Sequence, residues 1–335
     1  MVAGVIVFYV IPLLAVAEVV RCLVLEHRSD RIPILLYHRF IRKADARCGR
    51  VADTEMIWVC YDTEFAAQMD YLNDNGWVTL TLDDYCDIRA GRREKPAKCV
   101  LITMDDGYDS NYRLAYPVLR ARNQRATIFV ALEPDDHTRR QVEGVDDFVT
   151  EAQMREMSVH GIDIQSHTLT HCILTELDDD QAGYELSESR KRLTAITQKT
   201  VDHIAIPRAG YSRRIKRLVA RAGYRSACCN NKGSSNGWSD PLALPRIVIE
   251  RDMSVDDFAA ALTPAHAAVL RLVGNVKRIP ERFGGAVFAR TVRNLLYHRW
   301  SGWLFRTRSL KRVLGVCALG YAVGVAWFTW YLLAR

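Results

Sequence analysis

Two short stretches hold the residue types that can do chemistry. The first is Thr103-Met-Asp-Asp-Gly107, where the apolar run 99–102 ends on the paired carboxylates of Asp105 and Asp106 and a turn-forming glycine. A buried strand that stops on two acids delivers them to the rim of a sheet or barrel, where α/β proteins bind ligands. The same tripeptide is also ordinary turn chemistry, so the reading depends on the second stretch, Gly161-Ile-Asp-Ile-Gln-Ser-His167-Thr-Leu-Thr-His171. His167 and His171 are four apart, and one turn of helix would put both imidazoles on one face, a spacing that chelates a divalent metal. Two imidazoles and one carboxylate are the ligand count of a catalytic zinc centre with one position open to water. The second aspartate then serves as the base. Residue types alone leave open which aspartate does which.

The surrounding pattern supplies elements able to position these groups. Short apolar runs at 32–37, 78–82, 99–104, 127–131, 162–165, 203–206 and 243–249 read as strands, and amphipathic stretches at 63–75, 112–122, 150–157, 178–197 and 213–222 read as helices. Strand and helix in alternation predict a parallel sheet, and seven such units fit a barrel better than an open sheet. There are no repeats or low-complexity tracts, and 230–239 reads as a polar loop that borders the site.

Thr103-Met-Asp-Asp-Gly107 and Ser166-His-Thr-Leu-Thr-His171 resemble the first two motifs of the polysaccharide deacetylase (NodB-homology) family. Weaker landmarks follow in that family's order: Pro33-Ile-Leu-Leu-Tyr-His38, residues 65–82, Ala126-Thr-Ile-Phe-Val130, Ala205-Ile-Pro207, Ala222-Gly-Tyr224 and Leu244-Pro-Arg-Ile247. The resemblance covers residues 31–262 and implies an α/β fold, a distorted (β/α) barrel. It implies that Asp105 is the base and that Asp106, His167 and His171 hold the metal, expected to be Zn2+. It implies hydrolysis of the N-acyl amide, acetyl or formyl, of an amino sugar.

In that family the oxyanion is met by a motif of the form Arg-x-Pro-Tyr. Here the stretch reads Ala205-Ile-Pro207-Arg208-Ala-Gly210-Tyr211, with Arg208 where an aromatic is usual. Pro207, Arg208 and Tyr211 are therefore the expected substrate and oxyanion residues, joined by His38 at the end of the first strand. Arg246 is the expected partner that orients Asp105. The family's late Leu-His pair, which supplies the acid, has no clear counterpart; His266 is the residue placed in that role.

Composition bounds the rest. At 335 residues the chain can hold one large α/β domain plus extras, and 49% hydrophobic with 25% charged residues is ordinary globular make-up. The net charge of +7 is uneven: residues 271–312 carry eleven Lys or Arg against Glu281 alone, so the barrel region carries no basic excess and nucleic acid is not an expected partner. Nine cysteines, an odd number with no CxxC pair, do not form a disulfide framework or a structural zinc knuckle and favour a reducing compartment.

Residues 1–22 are nearly all apolar and are expected to form an N-terminal transmembrane anchor, and 312–334 a C-terminal transmembrane helix. Between them, 263–311 mixes arginines with aromatics, as an interfacial membrane segment does. Positive charges flank the inner side of both spans and predict an integral membrane protein with its catalytic domain facing the cytoplasm. Tethering beside lipid suggests membrane lipid as a partner and a polyprenyl-phosphate-linked sugar as substrate. Two other readings stand beside it: an extracytoplasmic polysaccharide or peptidoglycan N-deacetylase, and a non-catalytic sugar-binding scaffold of the same fold, the latter motivated by Arg208 and the missing Leu-His.

Overall fold

The computed structural model describes residues 11–45, 58–140, 142–251 and 253–277. The chain divides into two compact units; one of them, Leu25–Leu270, holds the sheet and the residues discussed below, and the other comprises Met1–Val24 and Arg271–Arg335.

Among the described residues there are ten strands: β1 (Ile34–Tyr37), β2 (Arg39–Ile41), β3 (Val59–Tyr61), β4 (Val78–Leu80), β5 (Cys99–Met104), β6 (Ala126–Val130), β7 (Ile162–Ser166), β8 (His203–Ala205), β9 (Ser226–Lys232) and β10 (Leu244–Val248). Parallel pairing runs β1–β10–β9–β8–β7–β6–β5, and β5 pairs back onto β1, which closes a seven-stranded barrel. Strands covered on both faces read as continuous apolar runs, and every residue of β5 is buried.

The expected parallel barrel of seven strands is present, but its membership differs. The segment at 78–82 is no barrel stave; β4 pairs only with the first half of β5. The seventh stave is β9, whose second half falls in the expected polar loop. Its sequence Ser-Ala-Cys-Cys-Asn-Asn-Lys lacks β-branched residues and alternation, so local propensity gives no strand signal. Pairing decides it, with Ser226 opposite His203 and Cys228 opposite both Ala205 and Leu244.

Alternate residues divide between two cores. Leu35, Val100, Ile102, Ile128, Ile164 and Ile204 pack outward beneath helices, among them Asp62–Asp74, Glu151–Val159 and Asp179–Thr197. Ile34, Leu101, Phe129, Ala205, Cys228 and Leu244 form the inner cluster. The helix Leu82–Arg89, absent from the expected elements, starts at a capping box between Thr81 and Asp84 and adds Leu82 and Tyr85 to the inner cluster. It lies at the end where the strands begin: Asp83 meets His203, the first residue of β8, and Tyr85 bonds Ser235, which bridges to Ile32 ahead of β1. The opposite end is left for chemistry. The seven described cysteines are free of disulfides.

The membrane expectation is corrected. The described part of the N-terminal segment is a helix, Ile11–Glu26, of 16 residues. Glu18 and Arg21 form a bidentate pair within it. Among the described residues no helix is long and apolar enough to cross a membrane. That overturns the integral membrane localisation and the cytoplasm-facing topology drawn from it. The expected C-terminal span at 312–334 and most of the basic segment 263–311 lie outside the described residues.

Candidate active site and metal centre

The site is built where β5 and β7 end. Asp105 continues the ladder, its N–H donating to the Tyr37 carbonyl at 3.0 Å. The chain then turns through Asp106 (φ 75°) and Gly107 (φ 77°). Only glycine fits the second position, because a Cβ there would sit 3.0 Å from Val130 Cγ1 as well as in the left-handed region. Just past β7, His167 N–H donates to the Val130 carbonyl at 2.9 Å.

Residues 167–171 do not form the expected helical turn. They make a tight loop with Thr168 at φ 65° and His171 at φ 63°, each costing about 1–3 kcal/mol of backbone strain. Glu185, on the helix Asp179–Thr197, holds the loop: one carboxylate oxygen accepts from Leu169 and Thr170 N–H at 2.9 Å each, and the other from Thr170 Oγ1 at 2.8 Å. The four-residue spacing thus converges through left-handed backbone rather than a helical face.

The two imidazoles meet one oxygen. Asp106 Oδ1 lies 3.2 Å from His167 Nε2 and 3.1 Å from His171 Nε2, and all three side chains are buried. Each ring uses its other nitrogen on the protein: His167 Nδ1 donates to the Ala205 carbonyl and His171 Nδ1 pairs with Thr138 Oγ1, both at 2.9 Å. The residues fit a divalent cation. Bond lengths of about 2.0–2.2 Å to tetrahedral zinc require ligand atoms roughly 3.3 Å apart; each nitrogen lies close to that separation from the oxygen, and one ligand atom from each residue lies within 4.8 Å of the other two. A site with three protein ligands keeps room for water or substrate.

Asp105 faces a different partner. Arg246, 1% exposed, donates both Nη1 and Nη2 to its two oxygens at 2.7 Å. Nη1 also reaches Thr103 Oγ1 at 3.3 Å, and that hydroxyl donates to the Leu35 carbonyl. Burial by itself would raise the Asp105 carboxyl, but the Arg246 charge and hydrogen bonds, with His167, hold it below the ordinary 3.8. Asp106 is likewise buried, and His171 and His167 pull it well below that value. The two adjacent acids are therefore both ionised, one fixed by arginine and one facing two imidazoles.

The other expected site residues divide. His38, at the end of β1, lies within Coulombic reach of Asp106, Asp105, Arg246 and His167, and burial keeps its imidazole below the ordinary value. Trp58, 43% exposed, stands beside it with ring centroids 4.7 Å apart. Pro207 is buried in a short turn after β8, Pro207–Ala209. Arg208 points its guanidinium at Asp135 and Thr138. Tyr211 commits its hydroxyl to the Leu242 carbonyl at 2.6 Å, so it braces the fold. His266 is not brought to this cluster: it lies on the helix Pro264–Lys277 with Asp257 as its charged neighbour. Glu185, Thr138 and Asp135 are the site residues that sequence reasoning misses. No motif marks them, since each acts by a contact with a segment distant in sequence.

Residues 92–227 match the sequence pattern of the family described as polysaccharide deacetylase. The Bacillus subtilis (strain 168) protein YxkH, which carries the name of a polysaccharide deacetylase, is 31% identical over 233 residues, spanning 70% of this chain and 76% of its own. The chain belongs to the polysaccharide deacetylase family. It is accordingly a carbohydrate deacetylase. Among solved structures, the Streptococcus pyogenes deacetylase PplD in complex with acetate is similar with a TM-score of 0.62 at 24% identity, covering 71% of this chain and all of PplD. IcaB from Ammonifex degensii is similar with a TM-score of 0.57 at 20% identity, over 71% of this chain and 98% of IcaB. At those identities the two structures speak for the deacetylase's fold.

Proposed function

We propose that this enzyme is a metal-dependent hydrolase that removes the N-acetyl group from amino sugars of a polysaccharide. One observation carries the reading: Asp106 Oδ1 sits within 3.2 Å of two imidazole Nε2 atoms while the adjacent Asp105 is held ionised by Arg246. Asp106, His167 and His171 would hold a divalent cation, which would supply Lewis-acid polarisation and water activation at this site. Asp105 takes the proton of the attacking water at the carboxylate that Arg246 aims. It does so without first having to lose a proton of its own, because its carboxyl stays ionised through the neutral range.

His38 is the imidazole next to both acids that holds no place in the Asp106 cluster; neutral at rest, it takes up the proton that Asp105 removes from water and passes it to the departing sugar nitrogen. In this role it replaces His266. The turn Pro207–Ala209, which follows β8 at the same end of the barrel, is the proposed source of a backbone donor for the oxyanion. The face of Trp58 beside His38 offers a sugar ring an apolar seat. Polymer rather than lipid-linked sugar is the favoured substrate, since the tether that suggested a polyprenyl phosphate has no support among the described helices and the matching family is named for polysaccharide.

The test is acetate release from an N-acetylated chito-oligosaccharide. Activity that a chelator abolishes and Zn2+ restores supports the reading, and turnover unchanged by chelation contradicts it.

A further inference from the structure

Arg208 occupies the position where the family usually has an aromatic, and its backbone sits at φ 50°. Its guanidinium donates to Thr138 Oγ1 at 2.6 Å and to Asp135 Oδ1 at 3.1 Å. The same Asp135 oxygen accepts the Thr138 N–H at 2.8 Å and the Thr138 hydroxyl at 2.6 Å. Thr138, 1% exposed, also touches His171 Nδ1 at 2.9 Å.

Proton accounting at this hydroxyl has one solution. A threonine hydroxyl has one proton to donate and two lone pairs to accept with. A carboxylate only accepts and a guanidinium only donates. The proton therefore goes to Asp135, one lone pair takes the Arg208 N–H, and the remaining lone pair faces His171 Nδ1, which must then carry a proton. The contrast with His167 is informative. Its Nδ1 faces a backbone carbonyl, which can only accept, so its tautomer needs no further control. A hydroxyl can face an imidazole either way, and Arg208 with Asp135 removes that freedom.

We propose that Arg208, Asp135 and Thr138 act as positioning residues that keep the His171 proton on Nδ1, so that the Nε2 lone pair stays available for a divalent cation beside Asp106. The proposal rests on the metal-centre reading given above and adds to it the reason this chain carries Arg208. Without Arg208, the Thr138 hydroxyl gains the option of turning its proton toward His171, which would place the imidazole proton on Nε2 and block ligation. Partners of this kind typically hold about 10–100-fold in metal affinity.

The experiment titrates metal-free full-length protein with Zn2+ against a chromophoric chelator at fixed pH, with the absorption spectrum of the Co2+ form as a second readout and circular dichroism checking the fold. Wild type is expected to bind one ion. Thr138→Val and Arg208→Met are expected to bind about 10–100-fold more weakly, with altered Co2+ spectra, while Thr138→Ser, which keeps the hydroxyl, returns to wild-type affinity. Arg208, whose side chain is 25% exposed, provides a variant that disturbs no packed core should Thr138→Val fold poorly. Wild-type affinity in Arg208→Met overturns the proposal and leaves the metal centre standing. Failure of Thr138→Ser to restore binding also overturns it, since the loss would then come from packing. A wild type that binds no ion removes the metal centre itself.

Discussion

At the end of the barrel where the strands begin, His203 has both ring nitrogens engaged by the protein: Nδ1 lies 2.8 Å from Ser226 Oγ, and Nε2 lies 3.2 Å from Asp83 Oδ1. At the end where the strands stop, His167 and His171 also give Nδ1 to the protein, and their two Nε2 atoms converge on a single carboxylate oxygen of Asp106. Both ends bury imidazoles beside acids, so burial and residue type do not separate a structural histidine from a ligand. Convergence does: two Nε2 atoms share one Asp106 oxygen, whereas His203 meets Asp83 alone. Of the six described non-glycine residues with positive φ, Asp106, Thr168, His171 and Arg208 lie at the second end, where neighbouring contacts hold a strained geometry, and the other two, Asn123 and Gln198, lie just past helix C-termini.

Breaking the reactive end should have the largest effect. Asp106→Ala or His167→Ala is expected to abolish stoichiometric Zn2+ binding and acetate release, measured by metal analysis and product assay, whereas His203→Gln at the other end keeps both. Asp105→Asn is expected to lower kcat by about 10²–10⁴-fold with metal content unchanged, which separates the base from the ligands. His38→Gln should cost about 10²-fold in kcat, and His266→Gln should leave the rate as it is; the reverse result would move the acid to the helix Pro264–Lys277.

The buried Asp105–Arg246 pair predicts a pH signature. The Asp105 carboxyl is lowered in the folded protein, so its contribution to stability is fully present above the ordinary value of 3.8 and is lost as pH falls through the still lower folded value. Arg246→Met leaves Asp105 buried without its partner. It should destabilise the fold by on the order of 3–5 kcal/mol at neutral pH, and this deficit should shrink in acid, as read from melting temperature against pH. The smallest effect belongs to the supporting end. His203→Ala leaves the buried Ser226 hydroxyl without its acceptor and should cost about 1–3 kcal/mol, seen in denaturant midpoints, with kcat unchanged.

Much of this arrangement is legible in the sequence because it is local. The Asp105-Asp106-Gly107 turn, the His167 and His171 pair, and the apolar runs flanking them each occupy a few adjacent residues. What sequence reading loses is set by contacts between distant segments. β9 is a strand because β8 and β10 flank it. The loop bearing His171 is held by Glu185, from the middle of a helix. Arg208 looks like a damaged oxyanion motif until Thr138, 70 residues away, is seen to receive it. Residues 1–22 read as a membrane anchor on their apolar count, whereas in the structure Glu18 pairs with Arg21 and puts two charges into the described helix Ile11–Glu26.

Anomalous diffraction from crystals grown with Zn2+, recorded on both sides of the zinc edge, tests the central claim most directly. The account predicts one strong peak bonded to an Asp106 oxygen and to Nε2 of His167 and of His171, with Asp105 still paired to Arg246. A peak ligated by Asp105 in place of Asp106, or no peak among these side chains at saturating zinc, would contradict it.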